Sequence, residues 1–221
     1  MATLVSIIIG VGIVAVIALL VHAVAIRPWY LRWGATDEEV ERTMPGDDLV
    51  KGSPHPNHRP ITNAVTVNAQ PADIWPWLMQ MGHGRGGLYS YDWIDRLMGV
   101  LDRSSTWEVL PQYQHLEVGD VIPLGHGPGW PVAAIEPNLS LVLDIPAPNT
   151  QVVWSYGLYA LDEAQTRLVL RITYCTSLSR LLAMLLVQVI DPGSFLMTRK
   201  QLLGIKQRAE ALARQHAEQT R

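Results

Sequence analysis

The residues best suited to proton transfer fall in two short loops. Met81–Trp93, MGHGRGGLYSYDW, holds His83, Tyr89, Tyr91 and Asp92, and His126 lies in GHGPGW. A general acid or base must sit inside a cavity with its pKa tuned toward the working pH. Each of these five, taken alone, is more often a solvated loop residue. Nucleophilic catalysis has less to stand on: there is no G-x-S-x-G, Cys175 is the single cysteine, and no histidine has a readable partner. His55 and His58 are three residues apart in KGSPHPNHRP. As metal ligands they would need further partners, so no metal and no cofactor is expected.

Gly82, Gly84 and Gly87 match G-x-G-x-x-G. A dinucleotide fingerprint needs a strand before it and a βαβ context. Here a helical pattern precedes, antiparallel strand patterns follow, and there is no G-K-[ST]. The glycines read instead as positive-φ and close-packing positions. Within that loop Arg85 offers a fixed cation for an anionic head group, or a plain ion pair with Asp92. Leu88, Tyr89, Tyr91 and Trp93 offer apolar area, the aromatic ones with polar tips. Trp130, Trp154 and Tyr156 fall on strand patterns. They serve a filled core or the wall of a cavity, since both need inward apolar side chains.

Several elements must position these groups. TDEE at Thr36–Glu39 is a capping box and opens a short helix. Lys51–Pro60 has three prolines and reads as a linker, and ITNAVTVN from Ile61 alternates as a strand. PADIWPWLMQM is a helix with Ile74, Trp77, Leu78 and Met81 on one face, distorted at Pro76. YDWIDRLM is a second short helix. EVGDVIPL, WPVAAIEP and LSLVLDIP are short strands, and QVVWSYGLYAL with TRLVLRITYCT is a hairpin. Ser179 to about Gln215 is helical with a break at Asp191-Pro192-Gly193. Its Phe195, Leu202, Ile205, Ala209 and Leu212 form the apolar stripe, and its basic face reads as solvated. The layout is α+β: one antiparallel sheet burying its apolar face on the last helix.

The chain has 221 residues, 17 basic and 20 acidic, for a net charge of −3. That balance gives no reason to expect nucleic acid. Leu4–Ile26 has 23 residues with His22 as its only titratable side chain. As a helix it would reach roughly 35 Å, enough for a membrane span. Arg27, Trp29, Tyr30, Arg32 and Trp33 then read as its interfacial flank, and the positive-inside rule places the rest in the cytoplasm. The alternative is a signal peptide cleaved at Ala23-Val24-Ala25, with the rest exported.

The order of elements resembles the START-like, helix-grip superfamily, also called SRPBCC or polyketide cyclase/dehydrase-like. ATDEEVERTMPGDDLV, IWPWLMQMGHGRGGLYSYDWIDRL and FLMTRKQLLGIKQRAEAL resemble segments of a bacterial branch that often carries an N-terminal membrane segment. The likeness spans roughly 35–213. It implies a sheet wrapped around the C-terminal helix with an apolar cavity between them. Members bind lipids, sterols, polyketides or hormones there, and some do cyclase or dehydratase chemistry. The expected organisation is a transmembrane anchor and flank (1–33), a short helix and linker (34–60), a START-like domain (61–215) and a tail (216–221). The expected function is membrane-anchored binding of a hydrophobic small molecule, lipid or isoprenoid-like. Arg85, Leu88, Tyr89, Tyr91, Trp93, Trp130, Trp154 and Tyr156 are its ligand contacts. The alternatives are a cyclase- or dehydratase-like enzyme using His83, Asp92 or His126, and a tethered interaction module with no ligand; protein partners are not specified.

Overall fold

The computed structural model describes residues 20–219 together with 6, 9, 10, 12–14 and 17. Three short helices come first: α1 (Arg27–Leu31), α2 (Asp37–Glu41) and α3 (Asp47–Lys51). Strand β1 (Asn57–Val67) and helices α4 (Pro71–Met79) and α5 (Asp92–Leu97) follow. Then come β2 (Val121–Ile122), β3 (Trp130–Glu136), β4 (Ser140–Ala147), β5 (Thr150–Ala160) and β6 (Thr166–Thr176). Helix α6 (Arg180–Gln219) ends the described chain. The six strands form one antiparallel sheet in the order β1-β6-β5-β4-β3-β2. This is an α+β helix-grip architecture.

Strand alternation sorts the two faces of the sheet. On β6, Leu168, Leu170 and Ile172 pack with Leu202, Ile205 and Ala209 of α6, joined by Ile74, Trp77 and Leu78 of α4. Full burial of each such large apolar side chain stabilises by about 1.5–3 kcal/mol. The opposite face of β6 carries Arg167, Val169 and Arg171, and the α2–α3 segment covers it. Glu39 closes the Thr36 capping box and also takes Arg167 through both carboxylate oxygens. Arg171 is buried there, donating to the carbonyls of Glu39, Val40 and Arg42 and to Asp47.

Several expectations need correction. Among the described residues no helix is long and apolar enough to cross a membrane. Of the span expected at Leu4–Ile26, residues 4, 5, 7, 8, 11, 15, 16, 18 and 19 lie outside the described residues. Its last five residues, His22–Ile26, form a π-helical turn leading into α1. The flank read as interfacial docks on protein instead: Arg27 pairs with Asp191, and Tyr30, 3% exposed, stacks on Phe195. Hydropathy and aromatic content alone cannot distinguish such a protein-facing segment from a lipid-facing one. The membrane anchor, the single-pass placement with a cytoplasmic domain, and the membrane-anchored branch of the resemblance lose their support.

Two further differences concern element boundaries. The break expected in the C-terminal helix is absent: α6 runs straight through Pro192. Its basic face is largely engaged rather than solvated. Arg208 is buried between Tyr89 and Trp107 and donates to Thr106 O, and Lys206 reaches Thr66 O and Glu210. Strand β1 starts at Asn57, inside the proline-rich stretch, because its first residues pair with the end of β6.

Candidate functional site

After α4 the glycine stretch folds back on itself, with Gly82 and Gly87 exchanging backbone hydrogen bonds. Gly87 has φ +91°, and a Cβ there would lie 2.4 Å from Ser105 Oγ. The turn delivers Leu88, Tyr89 and Ser90 to α6. Tyr89 is buried with φ +60°, its ring edge-on to Trp77. Helix α6 passes against this backbone at Gly204, where a Cβ would lie 2.1 Å from Tyr89 O.

A pocket of about 220 Å³ opens between this loop, α5, the sheet and the middle of α6. Leu88, Met98, Val100, Leu124 and Met197 supply apolar wall. Trp130 of β3 and Trp154 of β5 supply an aromatic face, their ring centroids 4.6 Å apart. Ser90, Asp95, Ser194, Thr198 and Gln201 are the polar lining. Asp95 is the one ionisable group among the lining residues.

The Asp95 side chain is 3% exposed, and Ser90 Oγ donates to its Oδ2. Burial pushes its carboxyl above the usual range, the nearby Asp92 charge adds to this, and the Ser90 hydrogen bond opposes it. A buried carboxyl with no basic residue beside it in the pocket wall favours its neutral, proton-donating form. Gln201 is held from behind: its Oε1 accepts from Tyr156 Oη at 2.8 Å. Burial pushes the Tyr156 phenol up, which keeps that hydroxyl a donor.

Of the residues singled out in the sequence, Leu88, Trp130 and Trp154 line the pocket. Tyr156 stands behind it, and Tyr89 packs beside it. Tyr91 is half-buried with the Lys200 ammonium 5.9 Å from its ring, and Trp93 is 62% exposed. Arg85 braces the loop: Nη2 donates to Met79 O and Tyr113 O, and the guanidinium lies 4.7 Å from the Tyr113 ring. Burial lowers its pKa. Among the acid–base candidates, Asp92 accepts from both the amide and the hydroxyl of Ser105. His83 Nδ1 lies 3.2 Å from Val100 O, and His126 is exposed in its turn. None of these three lines the pocket.

Asp95, Ser90, Thr198 and Gln201 are not singled out by the sequence pattern. Asp95 shares one short helix with Asp92, three residues earlier, and spacing alone does not separate the two carboxyls. A second concavity of about 520 Å³ lies beside Asp73 and His216, whose Oδ1 and Nδ1 are 2.9 Å apart. It is an open groove with polar and small residues on its walls, and it has no aromatic face.

No protein-family model matches the chain, and no curated protein does. Solved structures with a similar course of the chain exist. A norcoclaurine synthase point mutant from Thalictrum flavum, complexed with a transition-state analogue, is 12% identical. That match covers 73% of this chain and 97% of the other with a TM-score of 0.42. The Zhui aromatase/cyclase from Streptomyces sp. R1128 is 17% identical, over 70% and 94% of the two chains, with a TM-score of 0.38. A protein from Thermobifida fusca is 18% identical, over 69% and 94%, with a TM-score of 0.42. At such identities and scores the likeness carries no argument about activity. The helix-grip assignment rests on this chain's own sheet order and C-terminal helix.

Proposed function

We propose that the pocket between the sheet and α6 takes a small, neutral, oxygenated ring compound and acts on it by acid catalysis, as a cyclase- or dehydratase-like enzyme. The observation that carries this reading is the buried Asp95 carboxyl in the wall of a largely apolar, tryptophan-faced pocket. Size guides the choice of substrate. A cavity of about 150 Å³ holds benzene, so 220 Å³ accommodates one or two rings. Charge limits it as well. An anionic substrate would meet a carboxyl group and no lysine, arginine or histidine in the lining.

In a dehydration, Asp95 donates its proton to the departing hydroxyl as the C–O bond breaks, so that water leaves. The α-proton of the substrate passes to solvent as the C=C bond forms, and Asp95 is reprotonated from water. Ser90 holds the carboxyl in place, and the Trp130–Trp154 face receives the ring.

The test uses a two-ring ketone, 1-tetralone, in D2O. Asp95 protonates the carbonyl oxygen during enolisation, so exchange at the α-carbon, followed by proton NMR, reports the acid directly. The wild-type chain should accelerate exchange, and Asp95→Asn should abolish the acceleration while folding normally. Equal rates for the two proteins would refute the assignment.

A further inference from the structure

Helix α6 carries the pocket wall on one face and a different set of contacts on another. Ser194, Met197, Thr198 and Gln201 line the pocket. Asp191, Phe195 and Arg199 recur at i, i+4 and i+8, so they share a second stripe. All three touch the segment at 27–33. Arg27 Nη2 lies 3.2 Å from Asp191 Oδ2, and Arg59 of β1 grips the same carboxylate with both terminal nitrogens. Phe195 is boxed by Trp29, Tyr30 and Trp33 at centroid distances of 5.5, 5.4 and 6.3 Å. The Arg199 guanidinium lies 4.9 Å from the Trp33 ring.

These contacts bracket the weakest point of the helix. Pro192 has no N–H for the carbonyl one turn back, and Gly193 adds backbone freedom. The helix continues through this point with a backbone hydrogen bond missing, and contacts outside it can hold its direction on both sides. Asp191 precedes the weak point and Phe195 follows it. The pocket-lining residues begin at Ser194, immediately beyond.

We propose that residues 27–33 form a clasp that positions the pocket wall of α6, so that the shape of the site depends on a segment that does not line it. This rests on the reading of the pocket as a ligand site. Because the clasp and the ligand stabilise the same placement of α6, each should strengthen the other by the same factor. Arg27, Trp29, Tyr30, Trp33 and Phe195 are positioning residues with no contact to substrate.

The test compares Phe195→Ala with Arg167→Ala, which loosens the N-terminal region on the far face of the sheet, away from the pocket. Without ligand, amide hydrogen exchange at Met197, Thr198 and Gln201 should quicken at least tenfold in Phe195→Ala and stay within twofold of wild type in Arg167→Ala. Equal exchange in the two variants would overturn the clasp whether or not any ligand binds. With 1-tetralone as probe, Phe195→Ala should bind at least tenfold more weakly than wild type. Saturating probe should in turn slow exchange at Trp29, Tyr30 and Leu31. Wild-type binding matched by Phe195→Ala would sink the clasp and leave the pocket reading standing. No binding to the wild type would sink the pocket reading, and the ligand-free exchange data would still decide the clasp. If Phe195→Ala does not fold, Phe195→Leu keeps apolar volume without the ring and should show roughly threefold effects in the same assays.

Discussion

Asp95→Asn should make the protein more stable as pH rises, while removing its proposed activity. Burial holds the folded-state pKa of Asp95 above its unfolded value. A group shifted in that direction contributes fully below the unfolded value, near 3.9, and its contribution is lost as pH rises through the folded value. An asparagine amide does not titrate, fills nearly the same volume, and still offers Ser90 an oxygen. The two proteins should therefore melt together near pH 4 and diverge above it. The size follows from what ionisation leaves behind: a charge 3% exposed, with one hydroxyl donor and no cation in the pocket lining. Burying an under-partnered polar group costs about 1–3 kcal/mol. At this chain length that corresponds to a Tm advantage of roughly 2–12 °C for Asp95→Asn at pH 8. Thermal melts of both proteins in half-unit steps from pH 4 to 8 measure it. Parallel curves, or a variant that loses ground as pH rises, would show that the carboxyl is not held neutral by burial.

Other substitutions probe the frame around the site. Burial raises the Glu39 pKa, but the Arg167 hydrogen bonds and charge and the Thr36 amide outweigh it, so the net shift is downward. Its contribution is present above the unfolded value and is lost as pH falls through the folded one. Glu39→Gln should thus cost about 1.5–3 kcal/mol in urea unfolding at pH 7, and the difference should shrink below pH 4.5. Arg171→Met removes the donor to three backbone carbonyls and Asp47, and should cost about 3–5 kcal/mol by the same assay. Gly204→Ala forces a methyl against Tyr89 O; overpacking of about 1–3 kcal/mol should exceed the gain in helix propensity of about 1 kcal/mol. Ser194→Trp should fill the pocket and abolish 1-tetralone binding in calorimetry while the melting temperature holds or rises.

The frame of the fold was legible because its signals are local. The capping box at Thr36, the face formed by Ile74, Trp77 and Leu78, and the alternation of β5 and β6 are each read within a few residues. The N-terminal segment was misread for the same reason. Its Trp/Tyr/Arg flank satisfies an interfacial pattern locally, but the partners of Arg27 and Tyr30, Asp191 and Phe195, lie about 160 residues away. Arg208 and Lys206 looked like a solvated basic face because their carbonyl acceptors, Thr106 O and Thr66 O, belong to other elements.

The site divides along the same line. Leu88, Trp130 and Trp154 stood out by type. Asp95 did not, since Asp92 lies three residues earlier on the same short helix and only packing decides which carboxyl turns inward. Arg85 drew attention as the one cation of the glycine loop, yet the carbonyls of Met79 and Tyr113 take its guanidinium.

A small neutral ring compound is proposed to bind in the tryptophan-faced pocket, with Asp95 in its wall. An NMR titration of the 15N-labelled protein with 1-tetralone, run beside its anionic counterpart 1-naphthoate, addresses it most directly. Tetralone should produce saturable shifts at the Trp130 and Trp154 indoles and the Thr198 and Gln201 amides, with naphthoate producing none. Shifts confined to the groove beside Asp73 and His216, or equal shifts from both compounds, would contradict it.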